Sequence, residues 1–271
     1  MCCSAVPAFH FFKSPSMTRV QPRARLNSSE LLRFLGSLGM TDAAADIGDV
    51  GQSLGDWLDF RQAIALQAFI GSVDDRAAQP VQATARVDAD VLRQRFAQVR
   101  HALEQSIVQG SAPAPGLPRI DLPATELEHP IDPKTVFDPF RRYCIGHQRQ
   151  MDNIIRSLRV QLRGMLGKGP TAHRQLSELD GIFENVLHPR ESRLLGQIPT
   201  QFEKRFVKLL KQHMKALQEA ADADEPAPRT TPWLAPLREA MRDALLAELD
   251  LRLQPMLGLI EALTPHTTQQ Q

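Results

Sequence analysis

Cys144 and His147 stand three residues apart, the spacing at which two side chains on one helical turn can ligate a metal. Glu126-Leu-Glu-His129 is a single E-x-x-H, and Glu184 and His188 lie four apart. Each is half of something. A structural zinc site needs four ligands, and a di-iron bundle needs two E-x-x-H motifs on facing helices. No second Cys/His pair stands at suitable spacing, and the E-x-x-H lies among prolines. His188 precedes Pro189, where a helix is expected to end, so it reads as a capping residue. Leu166-Gly-Lys-Gly-Pro170 has the glycines and lysine of a phosphate loop without the GxxxxGK[ST] spacing or a preceding strand. HExxH, GxGxxG and CxxC do not occur in the sequence, and Gly51-Gln-Ser-Leu-Gly55, which has the GxSxG spacing, follows no predicted strand and so makes no nucleophile elbow. No catalytic residue, metal ligand or cofactor is therefore assigned, and the chain reads as a non-enzyme.

Two basic rows remain. Arg142, Arg149, Arg156 and Arg163 recur every seven residues, and Lys204, Lys208, Lys211 and Lys215 recur at four, three and four. Arginine forks bind carboxylates or phosphates with two parallel hydrogen bonds, so a ladder of them suits an acidic protein surface or a nucleic acid backbone. These eight residues are the candidate partner-binding set. For the arginines, the carboxylates expected first are those of the chain's own acidic segments.

The elements that carry these residues are helices. Over 137–166, Cys144, Met151, Leu158 and Met165 fit heptad position a, and Phe140, His147, Ile154 and Gln161 fit d. Ile155 and Leu162 then fall at e, and the arginines at f, opposite the seam. Cys144 and His147 thus become packed seam residues. A seam of that length needs partner helices, so self-association is expected unless the same chain supplies them.

Other amphipathic stretches are predicted. A capping box at Asn27–Glu30 precedes Leu31, Leu32, Phe34, Leu35 and Leu38. Leu54, Trp57, Leu58, Ile64, Ala65, Ala68 and Phe69 share a face over 53–70, and Leu92, Phe96, Val99, Leu103 and Ile107 over 88–109. Helices follow over 171–187, 190–196 and 201–221, broken at His188-Pro189 and Pro199. The last runs from Pro236 to Gln254 on Leu237, Met241, Leu245 and Leu249, with Glu248 and Arg252 as an i,i+4 pair. Pro255 kinks or ends it before a short helix over 256–263. Nothing alternates with period two, so no sheet is expected.

The organisation expected is a disordered leader over 1–26, a helical region over 27–109, a proline-rich linker over 110–136, a helical bundle over 137–263 and a tail over 264–271. The linker holds six prolines in the 24 residues 110–133, each removing a donor and fixing φ. The leader has no charged residue ahead of its apolar part, unlike a secretory signal, so translation is expected to start at Met17. No apolar run approaches the roughly 20 residues of a membrane span. Three cysteines give no disulfide framework, which suits a cytoplasmic setting.

The net charge of +1 conceals segregation. Residues 41–75 carry net −6, 134–217 net +9 and 218–263 net −5. Either the segments neutralise one another or the basic middle meets an acidic partner. A pI of 7.8 and the lack of a helix-turn-helix pattern weigh against nucleic acid, which stays the alternative.

Four blocks carry a resemblance: LNSSELLRFLGSLG with GDWLDFRQAIALQAF, then RRYCIGHQRQMDNIIRSLRVQLRGML, LSELDGIFENVLHPRESRLLGQIPTQFEKRF and LLAELDLRLQPMLGLIEAL. Over most of residues 23–263 the chain resembles domain-of-unknown-function family 3348, a proteobacterial family. The resemblance implies a soluble helical protein with no catalytic residues to carry over. It also implies partners in the cell envelope, because members are encoded beside proteins resembling proton-channel and peptidoglycan-binding components. The expected object is all-α, an elongated antiparallel bundle around 137–166, acting as a non-enzymatic cytoplasmic interaction or scaffold protein. No small-molecule substrate and no membrane insertion are expected.

Overall fold

A computed structural model describes residues 30–40, 55–77, 89–125, 135–222 and 233–263, and among them the chain is all-α, with no strand. Seven helices follow in order: α1 Glu30–Ser37, α2 Phe60–Ala77, α3 Ala89–Gln109, α4 Asp138–Leu166, α5 Thr171–Leu195, α6 Ile198–Asp222 and α7 Ala235–Ala262. The leader, the tail, the Glu126–His129 motif and most of the Asn27 capping box lie outside the described residues.

The expected centre was the helix of 137–166, but the hub is α7, which packs against α1, α3, α4, α5 and α6. Its composition explains this. Leu237, Met241, Leu245, Leu249 and Met256 are buried, and so are Ala240, Ala244 and Ala247 between them. A helix apolar on nearly every side must be enclosed, and alanines let neighbouring backbones approach.

The seam of α4 drifts. Phe140, Cys144, His147, Met151 and Leu158 are buried as the heptad requires. Beyond Met151 the buried set becomes Ile155, Leu158, Leu162 and Leu166, while Gln161 is exposed and Ile154 only half-buried. A straight helix turns every 3.6 residues, so a 3.5-residue stripe rotates by about 20° per heptad. The seam is covered from within the chain, by α3, α5, α6 and α7.

Two prolines expected to break helices lie inside them: Pro189 in α5 and Pro255 in α7. Proline in a helix leaves the carbonyl four residues earlier without its amide partner. For Pro189 that carbonyl belongs to Asn185, and Gln62 Nε2 donates to it at 3.4 Å from α2. The real break between α5 and α6 comes at Gly196-Gln197, and Pro199 falls in the first turn of α6, where its missing N–H costs nothing. α2 starts at Phe60, later than expected, because Asp59 and Gln62 form a reciprocal cap. Asp59 Oδ1 accepts from the Gln62 amide at 2.8 Å and Gln62 Oε1 from the Asp59 amide at 3.0 Å.

The described part of the proline-rich segment, 110–125, is irregular and lies along α4. Gln150 Nε2 donates to the Pro118 carbonyl at 2.7 Å. A Cβ at Gly146 would come within 3.0 Å of Ile120 Cδ1, so glycine there lets the segment close onto the helix. Gly110 starts it with φ +68°, a conformation glycine adopts at little cost. Tyr143 donates to the Ile107 carbonyl at 2.9 Å, fixing the end of α3 to α4.

Candidate functional site

Glu248 and Arg252 sit one turn apart on α7, and enclosure of that helix makes their pair internal. Glu248 is 0% exposed and the Arg252 side chain 7%. Arg252 Nε donates to Glu248 Oε1 at 2.9 Å, and Gln148 Nε2 donates to Oε2 at 2.9 Å. The same Gln148 nitrogen donates to the Leu195 carbonyl at 2.9 Å, one of the open carbonyls at the end of α5. Burial raises the Glu248 carboxyl above its ordinary range, against the pull of Arg252 and Gln148. Removing one partner of such a pair strands the other, at about 3–5 kcal/mol.

The network continues outward. Arg252 Nη1 lies 3.4 Å from Asp152 and 3.7 Å from Glu191. His188 Nδ1 is 3.7 Å from Asp152 Oδ1, and Ser192 Oγ is 3.4 Å from His188 Nε2. The atom order is that of a serine–histidine–aspartate relay. Those separations exceed the about 2.6–3.2 Å of a tight hydrogen bond, and Asp152 also meets Arg252. Asp152, His188, Glu191 and Arg252 form a polar wall.

That wall faces a cleft of about 730 Å³ between α1, α4, α5, α6 and α7. Leu31, Leu35, Ile155, Leu195 and Ile198 line it from the core side. Leu32, Trp57, Leu194 and Leu251 also line it but stay exposed, Leu194 to 66%. The Arg190 guanidinium sits 5.6 Å over the Trp57 ring at the mouth, a cation–π contact. Arg156 stands beside it with 55% of its side chain exposed, its nearest carboxylate, Glu184, 3.9 Å away. A smaller pocket of about 430 Å³, holding Arg149, Asn153 and Ser192, shares Asp152 and Arg252 with the cleft.

The arginine ladder divides. Arg163 bridges Asp180 at 3.0 Å and Glu184, both on α5. Arg159, outside the ladder, holds Asp180 in a fork at 2.9 and 2.6 Å. Arg156 leans toward the same cluster, while Arg142 and Arg149 are exposed and enter no ion pair among the described residues. Among the described residues, the carboxylates that answer Arg156 and Arg163 are on α5. Sequence reasoning passed over Asp180 and took Glu184 only with His188, although the i,i+4 spacing of Asp180 and Glu184 matches Arg159 and Arg163 on the facing helix. Lys204, Lys208, Lys211 and Lys215 are exposed along α6, and among the described residues only Lys215 meets an acid, Glu219 at 3.4 Å.

Cys144 and His147 are each 1% exposed, at the centre of the seam. Burial raises the Cys144 thiol far above its ordinary range and lowers His147 to about 4. The His147 ring packs edge-on to Tyr143 at 4.7 Å, and its Nε2 has no hydrogen-bond partner. Among the described residues no three His, Cys, Asp or Glu side chains are grouped to hold a metal, and no helix is long and apolar enough to cross a membrane.

A family model described as "Protein of unknown function (DUF3348)" matches residues 17–265. No curated protein and no solved structure matches the chain.

Proposed function

Because the chain belongs to the DUF3348 family, whose description names no activity, we propose its function from the site: a non-enzymatic interaction protein that takes a row of apolar side chains from a protein partner into the α1/α4/α5/α7 cleft. The observation that carries this reading is the rim. Leu32, Trp57, Leu194 and Leu251 continue the apolar lining outward onto the surface. A small ligand would be served by the buried lining alone, whereas a macromolecule also covers the rim. Clustered exposed apolar residues bordered by charge mark protein interfaces. Arg156 and Arg190 at the mouth give such a partner a polar edge to align on. A cytoplasmic setting and an envelope-associated partner are the circumstances that the cysteine usage and the family resemblance suggest.

The test is a photocrosslinking residue placed at position 194 of the full chain in cells. The expected outcome is a defined protein adduct that disappears when Leu32→Glu and Leu251→Glu are added. No adduct, or adducts indifferent to those changes, would overturn the reading. A second reading, contact with a polyanion, has its own observation: Lys204, Lys208 and Lys211 line one exposed face of α6 without an ion pair among the described residues. Arg142 and Arg149 are exposed in the same way on α4.

A further inference from the structure

Beside the cleft, α2 carries two exposed apolar side chains. Phe60 is 81% exposed and Ile64 53%, and they follow Trp57 at spacings of three and four. Trp57 itself lines the cleft, so row and cleft are continuous across one surface. The row cannot turn inward. α2 rests on α5, tied by the Gln62–Asn185 hydrogen bond, and that contact sets which face points out.

Charge follows the same division. Asp56, Asp59 and Arg61 flank the row and are exposed, two acids to one base. The mouth of the cleft carries Arg156 and Arg190. Glu184, the carboxylate nearest Arg156, is already bridged by Arg163. One chain therefore presents an apolar knob whose edge is acidic on balance next to an apolar hole with Arg156 and Arg190 on its rim.

We infer that the partner filling the cleft is a second copy of this chain, which inserts Phe60 and Ile64 across a two-fold axis passing near Trp57. This rests on reading the cleft as a docking site. A two-fold interface uses the same patch on both copies, so a knob beside its own matching hole satisfies both at once. Such an assembly closes as a dimer and leaves no free row to propagate a filament.

The experiment is sedimentation of the full chain from low to high micromolar concentration. A reversible dimer is expected. Phe60→Asp and Leu194→Asp should each raise its dissociation constant at least tenfold without altering helix content, because each change occurs twice in the interface. Asp56→Arg and Arg190→Glu should each weaken the dimer, and the double variant should recover most of the loss. A placement test uses chains with Cys2→Ser and Cys3→Ser. Mixing a Phe60→Cys chain with a Leu194→Cys chain should give a disulfide between the two under mild oxidation. A monomer throughout the range overturns the inference, as does a monomer carrying a small amphiphile in native mass spectrometry. So does a dimer untouched by Phe60→Asp and Leu194→Asp. A monomer whose position-194 adduct contains a different protein sinks the self-dimer alone and leaves the docking reading intact.

Discussion

At the scale of single residues, the sequence invites chemistry from Cys144 and His147, and the structure gives them burial instead. Nothing charged compensates His147, and its Nε2 is unpaired, so the neutral ring is held by the cost of desolvating a cation. That makes stability depend on pH with a definite sign. The unfolded chain protonates His147 near 6.5 and the folded chain near 4, so the folded state binds fewer protons between these values. Stability is fully present above 6.5 and declines as pH falls toward 4, by about 3 kcal/mol across the whole window. Urea unfolding at pH 7.0, 6.0 and 5.0 should show a falling midpoint, and His147→Met should flatten that fall. Methionine fits a seam and leaves no polar atom unpaired, so the variant should be no less stable than wild type at pH 7.0. The raised Glu248 carboxyl acts in the opposite direction, so the comparison with His147→Met, which keeps Glu248, isolates the histidine. An equal change of midpoint between pH 7.0 and 5.0 in wild type and His147→Met would refute the assignment.

At the scale of elements, the apolar stripes of α1, α3, α4, α6 and α7 were legible, because period and burial share a cause. The ends were less so, and prolines account for most of the error. A proline mid-helix costs roughly 3 kcal/mol in isolation, which makes a break the better expectation from sequence. What sequence does not display is that Gln62, 123 residues before its acceptor, reaches the carbonyl that Pro189 leaves open. Gln62 also closes the α2 cap, so one side chain serves two helices. Pro189→Ala should return an amide donor to Asn185 and raise stability by up to about 3 kcal/mol. Gln62→Ala should cost about 0.5–2 kcal/mol for the lost cap. In the Pro189→Ala background Gln62→Ala should cost less, because the Asn185 carbonyl then has its helical donor. Thermal melts of the four chains give the coupling directly. Equal costs of Gln62→Ala in both backgrounds would mean the α2–α5 hydrogen bond contributes nothing.

At the scale of the whole molecule, the segregated charges suggested that acidic segments would neutralise the basic middle. Among the described residues, Asp180 and Glu184 of the middle pair with its own Arg159 and Arg163, and the middle keeps its excess of positive charge. Across the segments the traffic partly reverses, since Arg252 of the acidic C-terminal part serves Asp152 and Glu191 of the basic one. Net charge along a sequence carries no record of which helices become neighbours, and the hub position of α7 decides that here. The same reason hid the cleft, whose lining comes from α1, α4, α5, α6 and α7 at once. The charges left exposed are a separate matter. Lys204, Lys208, Lys211 and Lys215 follow one another over three turns of α6, on the side opposite Phe202 and Phe206 in the core. Four such contacts to a duplex would give a slope of log affinity against log salt of about −3 to −4. Lys208→Glu with Lys211→Glu should flatten that slope by about half or more and leave sedimentation unchanged. Phe60→Asp and Leu194→Asp should do the reverse, removing association while leaving the salt slope as it was. Fluorescence anisotropy with a labelled duplex between 50 and 200 mM salt, run beside sedimentation on the same four chains, separates the two surfaces. If the lysine reversals abolish self-association, α6 belongs to the protein interface, and the cleft cannot be the whole of it.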